Sequence, residues 1–360
     1  MVTARIPSAM RICIPLVFAA LAAACAETRQ VLVYEAGQTE EGRLWPARES
    51  REVPRYRYVG QLTGAANFAP AEDGGPTLRQ ALNWLVGLAE AGASPTVLQR
   101  PQGGAADDRG RVYVTDVSRK ALFVFDETAG RLDVWDEAAP FTRFVSPVGV
   151  AIGANGHVLV SDSALARVFR LDHDGKPAGE FGAGILQRPT GIARDPVRGL
   201  VFVADTHAHD IKVFDDAGRL VETIGRRGDG TGEFNFPTYL AYARHTLYVT
   251  DTLNSRVQAI ADSGAVEFKF GAPGLFVGNL VRPKGVAIDD EGNIYVVESM
   301  YDTLLVYDAA GRLLLPIGGT GKDIGKFFLP AGVWVDARNR VYVADMFNGR
   351  VVIFQFLGNL

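Results

Sequence analysis

Cysteine is nearly absent from this 360-residue chain, and no apolar run is long enough to cross a membrane. The two cysteines are Cys13 and Cys25, so removal of the first 24 residues leaves one thiol and excludes a disulfide within a monomer. The longest apolar run, residues 12–24, is too short to cross a hydrocarbon core of ~30 Å as a helix. The chain therefore offers neither a disulfide framework nor a membrane-spanning helix.

An excess of basic residues is also missing. The formal net charge is −4, and it falls to −6 once Arg5 and Arg11 leave with the first 24 residues, which contain no acid. Nucleic-acid binding requires clustered lysine and arginine to match the backbone phosphates. This composition argues against a nucleic-acid partner.

Residues 1–24 have the pattern of a cleavable secretory signal, with arginines followed by an apolar run that ends in alanines. The sequence Leu21-Ala22-Ala23-Ala24-Cys25 resembles the lipobox of bacterial lipoproteins, although its leucine lies four rather than three positions before the cysteine. The resemblance implies lipidation of Cys25 and a position on the periplasmic side of a bacterial membrane. Ordinary cleavage after the alanines is the alternative.

One sequence pattern recurs six times between residues 101 and 345. It begins Pro-x-Gly-x-Ala-x-Asp, continues through a turn, and ends as an apolar strand closed by an acid. Successive closing acids are 43 to 47 residues apart. These acids are Asp116, Asp162, Asp205, Asp251, Glu298 and Asp345.

Each copy is predicted to form four strands, with small residues at alternate positions of the innermost strand. Four-stranded units at a period of ~40–45 residues are typical of propeller blades, so the fold class is an all-β six-bladed β-propeller. The last copy ends without a fourth strand. Residues 56–62 (Tyr-Arg-Tyr-Val-Gly-Gln-Leu) match the fourth-strand pattern, and we expect them to close the ring.

Two segments lie outside the repeats. Residues 25–55 are mostly polar, with only residues 31–34 suited to a strand, and are predicted to be a tether. Residues 77–91 are predicted to form a short helical insertion, with Thr77 as N-cap and Gln80 completing a capping box. The propeller is therefore assigned to residues 56–360.

The copies resemble NHL repeats, whose turn between the second and third strands commonly reads Asp-Thr-x-Asn-x-Arg. The best matches are residues 251–256 (DTLNSR) and residues 345–350 (DMFNGR), whereas residues 205–210 (DTHAHD) depart from the pattern. The resemblance covers about residues 98–360 and implies a fold rather than an activity. The NHL group includes binding modules, lyases and relatives of lactonases, so the function has to be argued from sites.

The six closing acids are the first candidates for a cation site. The favoured alternative is that Asp116, Asp162, Asp205, Asp251 and Asp345 accept backbone N–H bonds from the turns beside them. Glu298 differs in side-chain length and is the best candidate for a role specific to one blade.

Histidine and nucleophile patterns give little support for catalysis. A zinc lyase needs about three convergent histidines. His157, His173 and His245 are expected on one face of the ring, and His207 and His209 on the other. A calcium site of the lactonase kind could use Glu298 and Asn254, and no Gly-x-Ser-x-Gly sequence is present.

The face that carries the Pro-x-Gly turns varies most between copies and is the candidate binding face. Packing of Tyr239 and Trp334 into the central channel is the alternative for those two residues. The candidate residues are Gln102, Thr190, Thr238, Tyr239, Arg282, Lys284, Glu298 and Trp334.

We therefore expect a monomeric, non-catalytic scaffold propeller on the periplasmic face of a bacterial membrane, with a lipid anchor on Cys25. Its partner would be a protein or a cell-envelope component, and we expect no cofactor, with Ca²⁺ as the alternative. The rival hypothesis is a metal-dependent lyase or lactonase-like hydrolase with its site over the channel.

Overall fold

The structure is a computed structural model that describes residues 30–34, 44–47, 50, 52–70 and 96–358. Six antiparallel sheets are arranged in a ring, and the first strand of each contacts the first strands of its two neighbours. The prediction of a six-bladed, nearly all-β propeller is confirmed. The Cys25 lipid site and the helix over residues 77–91 lie outside the described residues.

Blades 1 to 5 each contain four strands in sequence order, so the first strand lies at the axis and the fourth at the rim. The strands of blade 1 are Pro101–Ala106, Arg111–Asp116, Ala121–Asp126 and Arg131–Trp135. Those of blade 2 are Pro147–Ile152, Val158–Asp162, Arg167–Leu171 and Pro177–Phe181. Those of blade 3 are Pro189–Asp195, Leu200–Asp205, Asp210–Asp215 and Leu220–Ile224.

Blades 4 and 5 repeat this arrangement. The strands of blade 4 are Pro237–Ala243, Thr246–Asp251, Arg256–Ala261 and Val266–Phe270. Those of blade 5 are Pro283–Ile288, Ile294–Glu298, Thr303–Tyr307 and Leu313–Gly318. In the described ranges, single turns of 3-10 helix also occur at Ala65–Asn67, Ala154–Gly156 and Thr252–Asn254.

Blade 6 joins the two ends of the chain. Its strands Val333–Val335, Arg340–Asp345 and Arg350–Phe356 are followed in the sheet by Tyr56–Leu62, which pairs antiparallel with Arg350–Phe356. The N-terminal strand therefore closes the ring, as the sequence predicted. Tyr56, Tyr58 and Leu62 are buried there, so closure also seals apolar side chains between the blades.

Five short strands among the described residues lie outside this scheme. Leu44–Trp45 extends the blade 6 sheet by pairing with Tyr56–Leu62, a strand that the sequence analysis did not anticipate. Gln30–Leu32 pairs with Phe68–Pro70, and Glu137–Ala139 pairs with Thr142–Arg143. The described part of residues 25–55 therefore lies against the propeller.

The second strands are buried along almost their whole length, because a neighbouring blade packs on each face. At the axis, glycine allows the first strands to approach one another. A Cβ on Gly149 would overlap the carbonyl oxygen of Thr190 in the next blade, and one on Gly285 would lie 2.5 Å from the backbone nitrogen of Val333. No helix in the described ranges is long and apolar enough to span a bilayer.

Candidate binding face

The ring has two faces that differ in the segments that form them. The blade-to-blade connections and the turns between second and third strands form one face, which we call the proline face. Pro101 pairs with Asp116 and Pro283 with Glu298, so each first strand begins on the side where its closing acid lies. The turns between first and second strands and between third and fourth strands form the opposite face.

The closing acids hold the loops of the proline face together. Asp116 accepts N–H bonds from Gln99 and Arg100 at 2.6 and 2.9 Å, and from Ser118 and Arg119 at 2.9 Å each. The carboxylate thus joins the loop that enters the first strand to the turn that leaves the second. Asp162 repeats the arrangement, and Asp205 accepts N–H bonds from the entering loop.

Glu298 has the same kind of partners as the aspartates. Its buried carboxylate accepts N–H bonds from Val281, Arg282 and Met300 at 2.8 to 3.0 Å. Burial raises the pKa of Glu298 above its usual value, and the backbone N–H bonds act in the opposite direction. The longer side chain is therefore used to hold the loops of blade 5.

The two best matches to the Asp-Thr-x-Asn-x-Arg pattern form equivalent networks. In blade 4, Asp251 accepts bonds from the Asn254 amide and the Arg256 guanidinium, each at 2.8 Å. In blade 6, Asp345 accepts the same bonds from Asn348 and Arg350. Asn254 and Glu298 are thus each engaged in the loops of their own blade, Asn254 by Asp251 and Glu298 by Val281, Arg282 and Met300.

No three histidines converge among the described residues, although His207 and His209 both pack against the Phe236 ring. Nδ1 of His157 lies 2.9 Å from the carbonyl of Ala154, and Nδ1 of His245 lies 3.1 Å from Asp262. Nδ1 of His209 accepts the N–H of Phe236, and burial lowers its pKa. Within the described residues, no three His, Cys, Asp or Glu side chains cluster as a metal site would require.

Tyr239 and Trp334 both lie in the central channel. The Tyr239 hydroxyl donates a 3.0 Å bond to the carbonyl of Gln102, so its phenol crosses from blade 4 to blade 1 on the far side of the axis. Trp334 packs against Gly104 and stacks on Tyr342, with ring centroids 5.4 Å apart. The cavity of about 190 Å³ beside them is lined mainly by first-strand glycines and aliphatic residues.

The other predicted binding residues divide into two groups. The hydroxyls of Thr190 and Thr238 bond those of Thr206 and Thr252 at 2.7 and 2.6 Å, so both threonines help to join strands. The Gln102 amide contacts Met346 Sδ at 2.9 Å. Arg282 and Lys284 differ, because neither side chain has an acidic partner in the part of the chain that the structure describes.

Arg282 and Lys284 belong to a larger set of cations, and the sequence predicted only these two as binding residues. These residues lie on or at the mouth of the proline face and form no ion pair with described residues. The sequence signal for this set is an arginine directly before the proline of a copy, which occurs in three copies. The set consists of Arg100, Lys120, Arg188, Arg227, Arg282, Lys284, Lys322 and Lys326.

Exposed apolar side chains collect on the same face. Among the described residues, the opposite face contributes one large exposed hydrophobic residue, Val197, and the others outside the proline face lie on outer strands or in the N-terminal segment. Eleven lie in proline-face segments. They are Phe141, Val145, Ile185, Leu253, Leu275, Phe276, Val277, Met300, Tyr301, Phe328 and Phe347.

Three adjacent residues of this set form a loop that side-chain hydrogen bonds hold in place. Leu275, Phe276 and Val277 are 87%, 84% and 70% exposed. The Asn279 side chain bonds the backbone of Phe276 and Ala272, and the Tyr301 and Tyr307 hydroxyls bond the carbonyls of Gly274 and Gly278. Anchored at both ends, the loop presents apolar groups to solvent beside a cavity of about 370 Å³.

Comparison with known proteins agrees with this architecture. The NHL repeat model matches residues 186–214, in blade 3. Protein brain tumor of Drosophila melanogaster is 31% identical over 135 residues, which cover 36% of this chain and 12% of that protein. Peptidylglycine alpha-amidating monooxygenase of Rattus norvegicus is 33% identical over 132 residues, 32% of this chain and 14% of that protein. The matches therefore span a small part of these relatives.

Solved structures show the same fold at low identity. A protein of unknown function from Bacteroides thetaiotaomicron superposes with a TM-score of 0.57 at 15% identity, over 84% of this chain and 75% of that one. A gluconolactonase from Xanthomonas campestris gives 0.55 at 16% identity, over 83% and 98%. Virginiamycin B lyase from Staphylococcus aureus gives 0.53 at 14% identity, over 72% and 96%. The chain is a six-bladed β-propeller that contains an NHL repeat.

Proposed function

We propose that this propeller is a non-catalytic scaffold whose proline face binds a partner protein or cell-envelope component. The observation that carries the proposal is the one-sided distribution of exposed apolar side chains, eleven on the proline face against one on the opposite face among the described residues. Exposed apolar side chains that collect on one face do not stabilise an isolated chain, and contiguous groups of them, such as Leu275, Phe276 and Val277, mark interaction surfaces.

The loop at residues 275–277 supplies the clearest contact element. Its backbone is fixed by side-chain bonds, so binding would cost little ordering entropy. The adjoining cavity is lined by Tyr301, Leu305 and Pro316 and has room for an apolar side chain of a partner. A rigid apolar projection beside a cavity suits a protein partner.

We further propose that Cys25 is lipidated and that the protein lies on the periplasmic side of a bacterial membrane as a monomer. Four residues lie between Cys25 and Gln30, so the five Cα-to-Cα steps that join them can span at most about 18 Å. Gly130, in a turn of the opposite face, packs directly against the carbonyl of Gln30, and the Tyr34 hydroxyl bonds Arg340 at 3.0 Å. An anchor at Cys25 would therefore hold the rim of the opposite face near the bilayer and leave the proline face accessible.

Site-specific photocrosslinking tests the binding face. A photoreactive amino acid would replace Phe276 in the full chain expressed in a bacterium, and the matched control would replace Val197, which is 81% exposed on the opposite face. We expect an adduct of defined mass at position 276 that disappears in the Leu275→Ser/Val277→Ser variant. Equal adducts at both positions, or none at 276, would contradict the proposal.

The enzymatic alternative has a separate test, since propellers of this shape include a gluconolactonase and a lyase. Metal analysis of the purified protein should show less than stoichiometric Ca²⁺ and Zn²⁺, with no hydrolysis of gluconolactone above background. Stoichiometric metal together with turnover would replace the scaffold proposal. For the anchor, Cys25→Ala should move the protein to the soluble fraction, and its retention in membranes would refute lipidation.

A further inference from the structure

Three arginines occupy equivalent places around the channel mouth. Arg100, Arg188 and Arg282 each directly precede the proline that starts the first strand of blades 1, 3 and 5. Their backbone N–H groups are held by the closing acids Asp116, Asp205 and Glu298 at 2.8 to 3.0 Å. The backbone of each arginine is thus fixed by a buried carboxylate, while its side chain is exposed.

Because these blades alternate in a ring of six, the three arginines are about one-third of a turn apart. The corresponding positions of blades 2, 4 and 6 are uncharged, namely Ser146, Phe236 and Leu329. Lys284 adds a fourth positive charge two residues after Arg282. We call Arg100, Arg188, Arg282 and Lys284 the cationic mouth.

No carboxylate among the described residues forms an ion pair with the cationic mouth, and the nearest interaction is the effect of the Arg282 charge on buried Glu298. The closing acids are buried and accept backbone N–H bonds, and Asp302 is buried with bonds from Thr320 and the Leu329 N–H. Glu233, on the same face, is paired with Arg226 at 2.8 Å. Burial and the neighbouring Arg282 lower the pKa of Lys284, as they would for an ammonium group without an acidic partner.

Apolar side chains adjoin these charges. The Arg100 guanidinium lies 4.9 Å from the centroid of the Phe347 ring. Ile185, exposed, is in the same connection as Arg188, and Met300, also exposed, follows the glutamate that holds Arg282. A ligand that matched this surface would carry several negative charges interspersed with apolar groups.

We propose that the cationic mouth binds an acidic segment of the partner protein, with glutamate or aspartate side chains against the arginines and apolar side chains against their neighbours. The inference rests on the proposed scaffold function and names the chemistry of the partner. Charge complementarity is its basis, because an excess of unpaired cations on one face of a chain with net charge −4 is not a consequence of composition. Interspersed apolar contacts favour a peptide over a phosphate polymer.

Fluorescence anisotropy with defined peptides tests this proposal on the purified full chain at low ionic strength. The probe is a labelled 12-residue peptide of four Glu-Glu-Phe repeats, and its neutral control has four Gln-Gln-Phe repeats. We expect the acidic peptide to bind roughly tenfold more tightly, since three exposed ion pairs are worth about 0.2–1 kcal/mol each. Added salt should remove the difference.

Two variants, each lacking three positive charges, show which face binds the acidic peptide. Arg100→Gln/Arg188→Gln/Arg282→Gln should weaken binding of the acidic peptide roughly tenfold, from loss of the same three pairs. Arg109→Gln/Lys176→Gln/Arg338→Gln, which removes three exposed cations from the opposite face, should change it less than about twofold. All six side chains are exposed, so thermal unfolding should show both variants folded.

Three outcomes would overturn the inference. Equal weakening in both variants would mean that net charge alone attracts the peptide. Equal binding of the acidic and neutral peptides would mean that apolar contact suffices, and tighter, arginine-dependent binding of a 12-nucleotide single strand would assign the site to nucleic acid. The crosslinking test at position 276 does not depend on any of these peptide results. It would therefore show separately whether the scaffold proposal fails.

Discussion

The two faces of the ring are formed by the same six blades, yet they use charged side chains differently. On the opposite face, arginines pair with nearby aspartates, as in Arg194–Asp216 at 2.7 Å, Arg312–Asp308 at 2.7 Å and Arg340–Asp336. Those aspartates also start tight turns, because Asp308 and Asp336 accept backbone N–H bonds from residues two and four positions later.

Buried acids hold turns on both faces, as Asp116 does on the proline face and Asp195 on the opposite face. The proline face differs in its cationic mouth, whose side chains form no ion pair with described residues. The ion pairs of the opposite face therefore stabilise its turns, whereas the cationic mouth of the proline face remains available to a ligand. The comparison indicates that side-chain bonds can hold the loops at both ends of a repeat. Only the proline-face loops then carry side chains that are left for a ligand.

The largest expected difference between the faces follows from removing an acid from each. Asp345→Ala should lower the free energy of unfolding by about 3 kcal/mol, because the Arg350 charge and the Phe328 N–H would lose a fully buried partner. Asp308→Ala, the control, removes a carboxylate that is 21% exposed and should cost about 1 kcal/mol or less. Urea unfolding measures both, and similar losses would mean that the deeper burial of Asp345 adds nothing to its contribution to stability.

A smaller difference is expected from glycines at the two ends of one strand. Gly149→Ala, at the proline-face end of the first strand of blade 2, should cost about 1–3 kcal/mol because its Cβ would overlap backbone of blade 3. Gly153 lies at the other end, where a Cβ would be 3.0 Å from the flexible Leu159 side chain. Thermal unfolding should show Gly149→Ala to be less stable than Gly153→Ala. The reverse order would show that the close approach of the first strands does not determine the cost of adding a Cβ.

The smallest expected difference between the faces is in how the free energy of unfolding depends on pH. Hydrogen bonding from Arg194 holds the pKa of Asp216 below its usual 3.8. The stabilisation from this pair is therefore complete above pH 3.8 and is lost as the pH falls through the lowered pKa. Asp216→Asn should cost roughly 0.5–1 kcal/mol at pH 7, and the difference from the parent should shrink below pH 3.8.

Glu298 should show the opposite sign. Burial raises its folded-state pKa above 4.5, so its ionisation opposes folding at neutral pH. As the pH falls through that raised pKa towards 4.5, the parent protein should gain stability relative to Glu298→Gln. Urea unfolding of the parent and both variants from pH 7 to 3 checks both signs, and parallel pH profiles would contradict the contrast.

Much of the fold could be predicted because its signals are local and repeated. Bulky side chains alternate in residues 56–62, and the sixth copy has no fourth strand of its own, so the sequence predicted ring closure. Both signals can be read within short segments, because side-chain alternation and an unpaired sheet edge are local features. The spacing of Asp116 and its equivalents predicted the blades for the same reason. The lipid site at Cys25 and the helix over residues 77–91 lie outside the described residues and stay predictions.

The candidate site was less predictable because it depends on positions distant in sequence. The hydroxyl of Tyr239 bonds a carbonyl 137 residues away, and nothing near Tyr239 in sequence indicates that partner. Each arginine before a proline is visible in the sequence, but their grouping depends on three alternate blades. The Leu275-Phe276-Val277 sequence has the composition of a buried strand, and only the structure shows it to be exposed.

The phenol of Tyr239 also has a mechanical consequence. A ring of blades can deform into an ellipse by lengthening one diameter and shortening another. The bond from Tyr239 to the Gln102 carbonyl joins blades 4 and 1 across such a diameter, and deformation along it would break the bond. The bond therefore opposes the separation of blades 1 and 4 by about 0.5–1.5 kcal/mol, so a partner that pulled these two blades apart would have to break it.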